Sequence, residues 1–104
     1  MAVLTPSVII RKESTVANQV TGTPVKLETY LIKVTKAAQN DTIETDTVLG
    51  ATYTTDKIVE LDGITIPTSG DAVQEAPTLD DSDDEIVLPS ATIGTSWVSV
   101  TFGL

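Results

Sequence analysis

The sequence predicts an all-β fold, either an antiparallel β-sandwich or a small barrel, with an extended N-terminal arm and a long acidic loop. Threonine is in excess, at 18 of the 104 residues, and together with valine and isoleucine it makes up more than a third of the chain. These β-branched residues lose rotamer freedom in a helix and pack well on a pleated sheet. The C-terminal segment SWVSVTFGL alternates apolar and polar side chains with the period of two that is typical of a strand.

A chain of 104 residues fits a single domain that spans residues 1–104. Its aromatic residues are one Trp, one Phe and two Tyr. The core is therefore expected to consist of Val, Ile, Leu and the methyl groups of Thr, each of which buries less area than an aromatic side chain. Because such a core is thin, we expect neighbouring subunits to contribute to its stability.

The first 24 residues combine short apolar pieces with Pro6, Gly22 and Pro24. This composition predicts an extended arm that carries one short strand around residues 8–12. An extended arm needs a surface on which to lie.

The apolar residues of VKLETYLIKVTK fall into two sets of opposite parity. The first set is Val25 and Leu27, and the second is Tyr30, Ile32 and Val34. Because a strand of strict period two cannot bury both sets, we predict a bulge or bend near Thr29, or a strand that passes from one sheet to the other. Either arrangement favours a sandwich or barrel over a flat sheet.

A β-hairpin is predicted in KIVELDGITIP, because Asp62-Gly63 is a favoured two-residue turn. The turn would place Leu61 opposite Ile64 and Val59 opposite Ile66. Pro67 would end the ladder, since proline has no amide hydrogen to donate.

Shorter strands are predicted in TIETDTV and EIVLP, and residues 67–85 form the long acidic loop between the hairpin and EIVLP. In the last strand, alternation predicts a core face made of Val98, Val100, Phe102 and Leu104. Trp97 lies on the opposite face. We interpret it as a contact point for a partner, or as a side chain covered by the chain's own loop or arm.

The formal charge is −9, from 15 acidic and 6 basic residues. Nucleic-acid binding needs clustered Lys and Arg, so we exclude nucleic acid and membrane as primary partners. The segment MAVLTPSVIIRKE lacks the basic start of a signal peptide, and no apolar run is long enough for a bilayer. The sequence contains neither Cys nor His, which removes disulfides, thiolate metal sites and the commonest proton shuttle.

The run DDSDDE places five carboxylates in six positions, so it is the first candidate for a metal site. Asp80, Ser82 and Asp84 alternate like the start of an EF-hand loop, but Glu85 stands where the loop needs Gly. A looser calcium site at Asp81, Asp83 and Glu85 stays open. The other interpretations are a solvated loop that protects the following strand from pairing, and an electrostatic contact of Asp80 and Asp84 with a basic partner.

No catalytic motif is found. Nucleophilic catalysis lacks a His base, an S-x-x-K motif and a G-x-S-x-G elbow, since the glycine after Ser96 is missing. A carboxylate pair could act on a glycoside, but the small size and few aromatics disfavour a sugar site. We predict that the chain is not an enzyme and has no cofactor.

An acidic, Thr/Val-rich β domain without Cys or His, with an extended start and a long polar loop, resembles the small structural proteins of tailed-virus particles, especially head-decoration or cement proteins. The resemblance implies a homo-oligomer, with a trimer as one form, that binds the major capsid protein or other virion proteins. It also implies assembly in the host cytoplasm and a final position on the outer capsid surface. Expected contact regions are residues 2–12, Trp97 and the acidic loop, and within them Val8, Ile9, Ile10, Arg11, Asp80 and Asp84.

Two alternatives share these traits. One is another virion component, such as a neck, tail or spike protein. The other is a cellular binding or adhesion module with an immunoglobulin-like sandwich. Adaptation to high salt would also explain the excess of acidic residues, because hydrated carboxylates keep a protein soluble.

Overall fold

A computed structural model describes residues 1–104 and has two antiparallel sheets packed face to face, which confirms the predicted all-β, sandwich-like fold. The strands are β1 (Val8–Ala17), β2 (Pro24–Lys36), β3 (Asp41–Glu44), β4 (Ile58–Pro67), β5 (Val73–Gln74), β6 (Thr78–Asp80), β7 (Glu85–Leu88) and β8 (Gly94–Gly103). The main sheet has the order β1-β2-β8-β4-β5, and the small sheet has the order β3-β7-β6. One helical turn, α1 (Thr45–Val48), and a short 3₁₀ turn, Thr55–Lys57, lie between β3 and β4.

The core lies between the two sheets. The main sheet contributes alternating residues of β2 and β8, and the small sheet contributes three aliphatic side chains. The buried apolar residues are Tyr30, Ile32, Val34, Val98, Val100, Phe102, Ile43, Ile86 and Leu88. Burying each such side chain contributes about 1.5–3 kcal/mol. The predicted core face of β8 is confirmed except at Leu104, which follows the strand and is exposed.

The predicted bulge near Thr29 is wrong. The register of β2 advances one residue at a time against both β1 and β8. The buried face of β2 that holds Tyr30 also includes Glu28 and Lys36, without interruption. The period of two is therefore regular along the strand, and its buried positions include charged residues as well as apolar ones. Val25 and Leu27 lie on the other face. The irregularity of the main sheet is in β4, where the pairing with β8 shifts between Ile58 and Glu60.

The predicted hairpin at Asp62-Gly63 is also wrong, because β4 runs straight through both residues against β8. Leu61 pairs with Val100, and Ile64 pairs with Trp97. Gly63 allows Pro77 to pack closely against β4, since a Cβ at residue 63 would lie 2.9 Å from the Pro77 Cγ. The ladder does end at Pro67, as predicted.

The remaining segments differ from the prediction mainly in extent. TIETDTV forms only the short strand β3 and then the α1 turn. Ten of the 24 residues of the predicted arm form β1, which pairs with β2 as a hairpin. Before β1, Val3 bridges to Thr42, so the start of the chain lies against the small sheet. Residues 67–85 contain the short strands β5 and β6. EIVLP forms β7 as expected.

Replacing Gly63 with Ala tests the packing of β4. We expect Gly63→Ala to lower the free energy of unfolding by about 1–3 kcal/mol, because the added methyl group overlaps Pro77. The double variant Gly63→Ala/Pro77→Ala should be less destabilised than the two single changes summed, as measured by urea unfolding. A turn at Asp62-Gly63 would instead make the two changes additive.

Candidate binding surfaces of the main sheet

The two faces of the main sheet have different surroundings. Its inner face carries the core and packs on the small sheet, whereas its outer face has several large side chains exposed to solvent. Four large apolar side chains of the outer face lie on neighbouring strands, namely Ile10, Leu31, Trp97 and Ile64. Ile10 is 53% exposed, Ile64 is 40% exposed and Leu31 is 36% exposed. A contiguous apolar surface of this kind is typical of an interaction site.

Trp97 lies near the middle of the outer face and is half-buried. The other three aromatic residues of the chain, Tyr30, Tyr53 and Phe102, pack edge to face with one another on the core side. The Lys33 ammonium lies 5.5 Å from the Trp97 ring centroid, within the range of a cation–π contact. As predicted, the alternation of β8 places Trp97 on the face opposite the core.

A cleft of about 420 Å³ opens on the outer face beside Trp97. The segment that leads into β5 forms its far wall, so part of the predicted loop flanks Trp97 without closing over it. The lining residues are Leu31, Asp62, Gly63, Ile64, Ala72, Gln74, Trp97 and Ser99.

β1 is the long free edge of the main sheet. The turn between β1 and β2 is closed by the Asn18 amide, which donates to the Thr23 carbonyl at 3.1 Å. In an antiparallel pair, every second pair of opposite residues is joined by hydrogen bonds. Because Asn18 belongs to such a bonded pair, the even-numbered residues of β1 are the ones whose backbone groups bond to β2. The Leu104 amide donates to the Lys26 carbonyl at 3.2 Å, so the even-numbered residues of β2 bond to β8. The odd-numbered residues of β2 are then the ones that bond to β1, which agrees with the pairing at the turn.

The outward backbone groups of β1 therefore belong to Ile9, Arg11, Glu13 and Thr15. Nearly every residue of this strand is exposed. A row of free amides and carbonyls is a template for another strand. The predicted contact residues Val8, Ile9, Ile10 and Arg11 all lie on this strand. Val8 and Ile10 point to the outer face, while Ile9 and Arg11 point to the opposite side.

Arg11 is held by the buried carboxylate of Glu28. Its guanidinium lies 2.8 Å from Glu28 Oε1, and its Nε donates to the Tyr30 hydroxyl at 3.2 Å. The Tyr53 hydroxyl also donates to Glu28, and Lys26 lies 3.2 Å from it. The hydrogen bond from Tyr53, followed by those from Arg11 and Lys26, outweighs burial and lowers the pKa of Glu28 to about 2. The same bond to Glu28 raises the pKa of Tyr53 well above 10.

Two other buried polar groups lie at the C-terminal end of β2, the Lys36–Glu75 pair and Asp41. Lys36 and Glu75 are fully buried, with Nζ 2.7 Å from Oε1. Ser90 donates to Glu75 from its amide at 3.0 Å and from its hydroxyl at 2.6 Å. Burial raises the pKa of Glu75, but the hydrogen bonds from Lys36, Ser90 and Thr65 overcome it, so the pKa is lowered overall. This network is enclosed and fully bonded, and the sequence interpretation missed both partners.

Asp41 is the second of these buried polar groups. It accepts hydrogen bonds from the amides of Ala2, Ala37 and Ala38 at 2.8–2.9 Å. Burial raises the pKa of Asp41, but the backbone hydrogen bonds together lower it by more than burial raises it. The pKa is therefore below its usual value. Asp41 therefore fixes the start of the chain against the turn before β3.

In the acidic run, the structure brings Asp80, Asp83 and Glu85 together, with carboxylate oxygens within 4.8 Å of one another. Three oxygens of this kind are ligands that calcium accepts. Asp81, which the sequence interpretation placed in the trio, instead accepts a hydrogen bond from the Thr55 hydroxyl at 2.7 Å. Asp84 accepts from the Thr55 amide at 3.1 Å and has a left-handed φ of 52°. Asp81 and Asp84 thus anchor the acidic run to the 3₁₀ turn.

Scans against protein-family models, curated proteins and solved structures gave no match to the chain. Among its helices, none is long and apolar enough to cross a membrane. The outer face with its cleft and the free edge of β1 are the candidate binding surfaces of the chain.

The variant Tyr53→Phe tests the Glu28 cluster through pH. A carboxylate whose pKa is lowered in the folded state adds stability above its unfolded value near 4.5 and loses it as pH falls through about 2. Without the Tyr53 hydroxyl, we expect the free energy of unfolding at pH 7 to drop by roughly 1–2 kcal/mol. Urea unfolding at pH 7 and pH 2 should show the gap between wild type and variant closing at the lower pH. A gap of constant size would contradict the assignment.

The variant Lys36→Met tests the buried pair. Removing one partner leaves the Glu75 charge buried, and we expect unfolding to become easier by about 3–5 kcal/mol. The double variant Lys36→Met/Glu75→Gln should recover much of this loss, because it removes the second charge but keeps a hydrogen-bonding group. Lys57→Met is the control, because Lys57 lies in the 3₁₀ turn and its ammonium bonds only to the exposed Thr52 carbonyl; it should change stability by less than about 1 kcal/mol. Equal effects of Lys36→Met and the control in thermal or urea unfolding would show that the pair does not matter.

Proposed function

We propose that this protein is a non-enzymatic structural component of a virion, a capsid decoration or cement protein that binds the outer capsid surface through the free edge of β1 and reinforces the shell. The observation that carries the proposal is the ten-residue edge strand whose outward amides and carbonyls have no partner in the chain. An extended segment of the major capsid protein, or of another virion protein, would add to this edge as a further strand. Backbone hydrogen bonds would supply the affinity, and alternate side-chain contacts would supply the specificity.

The buried polar groups support a role without catalysis. Glu28, Asp41 and Glu75 each have a lowered pKa, and in each case the carboxylate is occupied by hydrogen bonds from the protein itself. Their environments serve to hold the two sheets and the chain start in place. A catalytic acid or base would need an open position within hydrogen-bond reach of a substrate.

The charge of the chain supports an outer position. With a net charge of −9, the protein would be repelled by a packaged genome, whereas it stays soluble and separate on an exposed surface. The acidic run around Asp80 belongs to β6 and β7 of the small sheet, whereas the free edge belongs to the main sheet.

A proline at residue 9 tests the edge directly. The Ile9 amide points outward, so Ile9→Pro leaves the pairing of β1 with β2 intact and removes a donor from the free edge. We expect Ile9→Pro to lower binding to preformed empty capsids of the same virus by about tenfold or more, as measured by co-sedimentation. Ile9→Ala is the matched control, because it loses the same side chain but keeps the amide. Equal binding of the two variants would contradict strand addition, and a wild type that binds no shell would overturn the proposed function.

A second candidate is an adhesion module with an immunoglobulin-like sandwich, which the two packed antiparallel sheets favour. A neck, tail or spike protein of the virion would use the same free edge. Binding of the purified chain to tails or to host cells, with no binding to empty capsids, would support one of these candidates.

A further inference from the structure

The outer face of the main sheet divides into a basic half and an acidic half. Lys12 and Lys33 lie on β1 and β2, while Glu60 and Asp62 lie on β4. The strand register places Lys12 and Glu60 in one row across the sheet, because Lys12 pairs with Thr29, Thr29 pairs with Thr101, and Thr101 pairs with Glu60. Leu31 and Trp97 lie on the two central strands, whereas Ile10 shares β1 with Lys12 and Ile64 shares β4 with Glu60 and Asp62.

The same face carries a projection and a cavity on opposite sides of its midline. Ile10 projects from β1, with 53% of its surface exposed. The cleft of about 420 Å³ lies over β8 and β4. Leu31 and Ser99 pair across the midline between β2 and β8, and Ile10 and Asp62 flank them in the same row.

We propose that the outer face binds the outer face of a second copy of this chain, about a two-fold axis that runs parallel to the strands between β2 and β8. Such an axis exchanges the two halves of the sheet, so that β1 lies over the partner's β4 and β2 lies over the partner's β8. Lys12 then faces the partner's Glu60. Ile10 lies in the same row as Asp62, so it enters the partner's cleft at the position of the partner's Asp62, which lines that cleft together with Trp97. Both contacts occur twice in the dimer.

The direction of the axis follows from the charges. A two-fold axis in the plane of the interface but perpendicular to the strands would place β1 over β1 and bring the basic halves together. The parallel axis instead sets Lys12 opposite the partner's Glu60. Both axes keep the strands of the two sheets nearly aligned, as is usual when sheets pack face to face, so the charges decide between them.

The area of the face is sufficient for a stable dimer. Four strands about 4.8 Å apart, each about ten residues long at 3.3 Å per residue, present roughly 600 Å² of flat surface. Two copies would bury on the order of 1,200 Å², which reaches the range of specific interfaces. Because the long free edge of β1 lies beside this face, a dimer formed in this way still leaves both edges open.

This inference extends the proposed function, in which copies assemble on a shell, but its test needs no shell. Sedimentation equilibrium of the full chain at about 100 µM should give twice the single-chain mass of 11.0 kDa. Trp97 emission should shift to shorter wavelength as concentration rises, because the partner covers its cleft. A monomer at this concentration would overturn the inference and leave capsid binding to be judged separately.

Substitutions on β1 identify the face. We expect Ile10→Asp to raise the dimer dissociation constant by about tenfold or more, because it would bury a charge in the partner's cleft. Ile9→Asp is the matched control, since Ile9 is a neighbouring exposed isoleucine on the other side of the strand. Equal weakening by both changes would contradict an interface on the outer face.

A charge exchange identifies the axis. Lys12→Glu and Glu60→Lys should each weaken the dimer, and the double variant should restore it to near the wild-type dissociation constant. Both residues are exposed, so these variants are expected to fold even if Ile10→Asp does not. A double variant that dimerises no better than either single variant would contradict the parallel axis.

Discussion

The rest of the structure depends on the strict alternation of β2, the second strand of the main sheet. One set of its side chains, from Glu28 through Tyr30, Ile32 and Val34 to Lys36, is buried between the sheets. The other set forms the middle of the outer face. Because a shift of one residue would exchange the two sets, the hydrophobic core and the candidate binding surface are fixed by the same register. The free edge of β1 follows as well, since its outward groups are set by its pairing with β2.

The buried charges at the ends of β2 explain how a thin aliphatic core is held in one arrangement. Glu28 accepts hydrogen bonds from Arg11, Tyr30 and Tyr53 at one end, and Lys36 is paired with Glu75 at the other. A buried ion pair adds little net stability compared with apolar packing, but a broken one is costly. These groups therefore specify which segments meet inside the sandwich, while the outer face and the edge of β1 stay exposed.

The fold class could be predicted from the sequence because β-branched composition and period-two alternation act locally. The alternation at the C-terminus placed Val98, Val100 and Phe102 in the core and Trp97 opposite them. Two errors came from local rules that tertiary packing overrode. At Asp62-Gly63 a favoured turn sequence lies within a strand, because the glycine makes room for Pro77. Near Thr29 the strand continues through a buried glutamate, and a pattern based on hydrophobic residues alone does not count a glutamate as part of the core.

The candidate site was only partly accessible to sequence reasoning. Ile10 and Trp97 could be proposed as contacts from the sequence because they are apolar or aromatic residues in predicted strands, and the structure places both on the outer face. The cleft and the division of charge depend on β4 lying beside β8, a long-range pairing that no local pattern encodes. The metal candidate shows the same limit: residue spacing selected Asp81, whereas the fold brings Asp80 to Asp83 and Glu85.

Residue-resolved hydrogen exchange of the chain, free and bound to empty capsids, tests most directly whether its function lies in the exposed surfaces of the main sheet. The account predicts that binding slows exchange at the outward amides of Ile9, Arg11, Glu13 and Thr15, while the inward amides between them, already bonded to β2, change little. Shell binding that leaves those four amides as fast as in the free protein would contradict it.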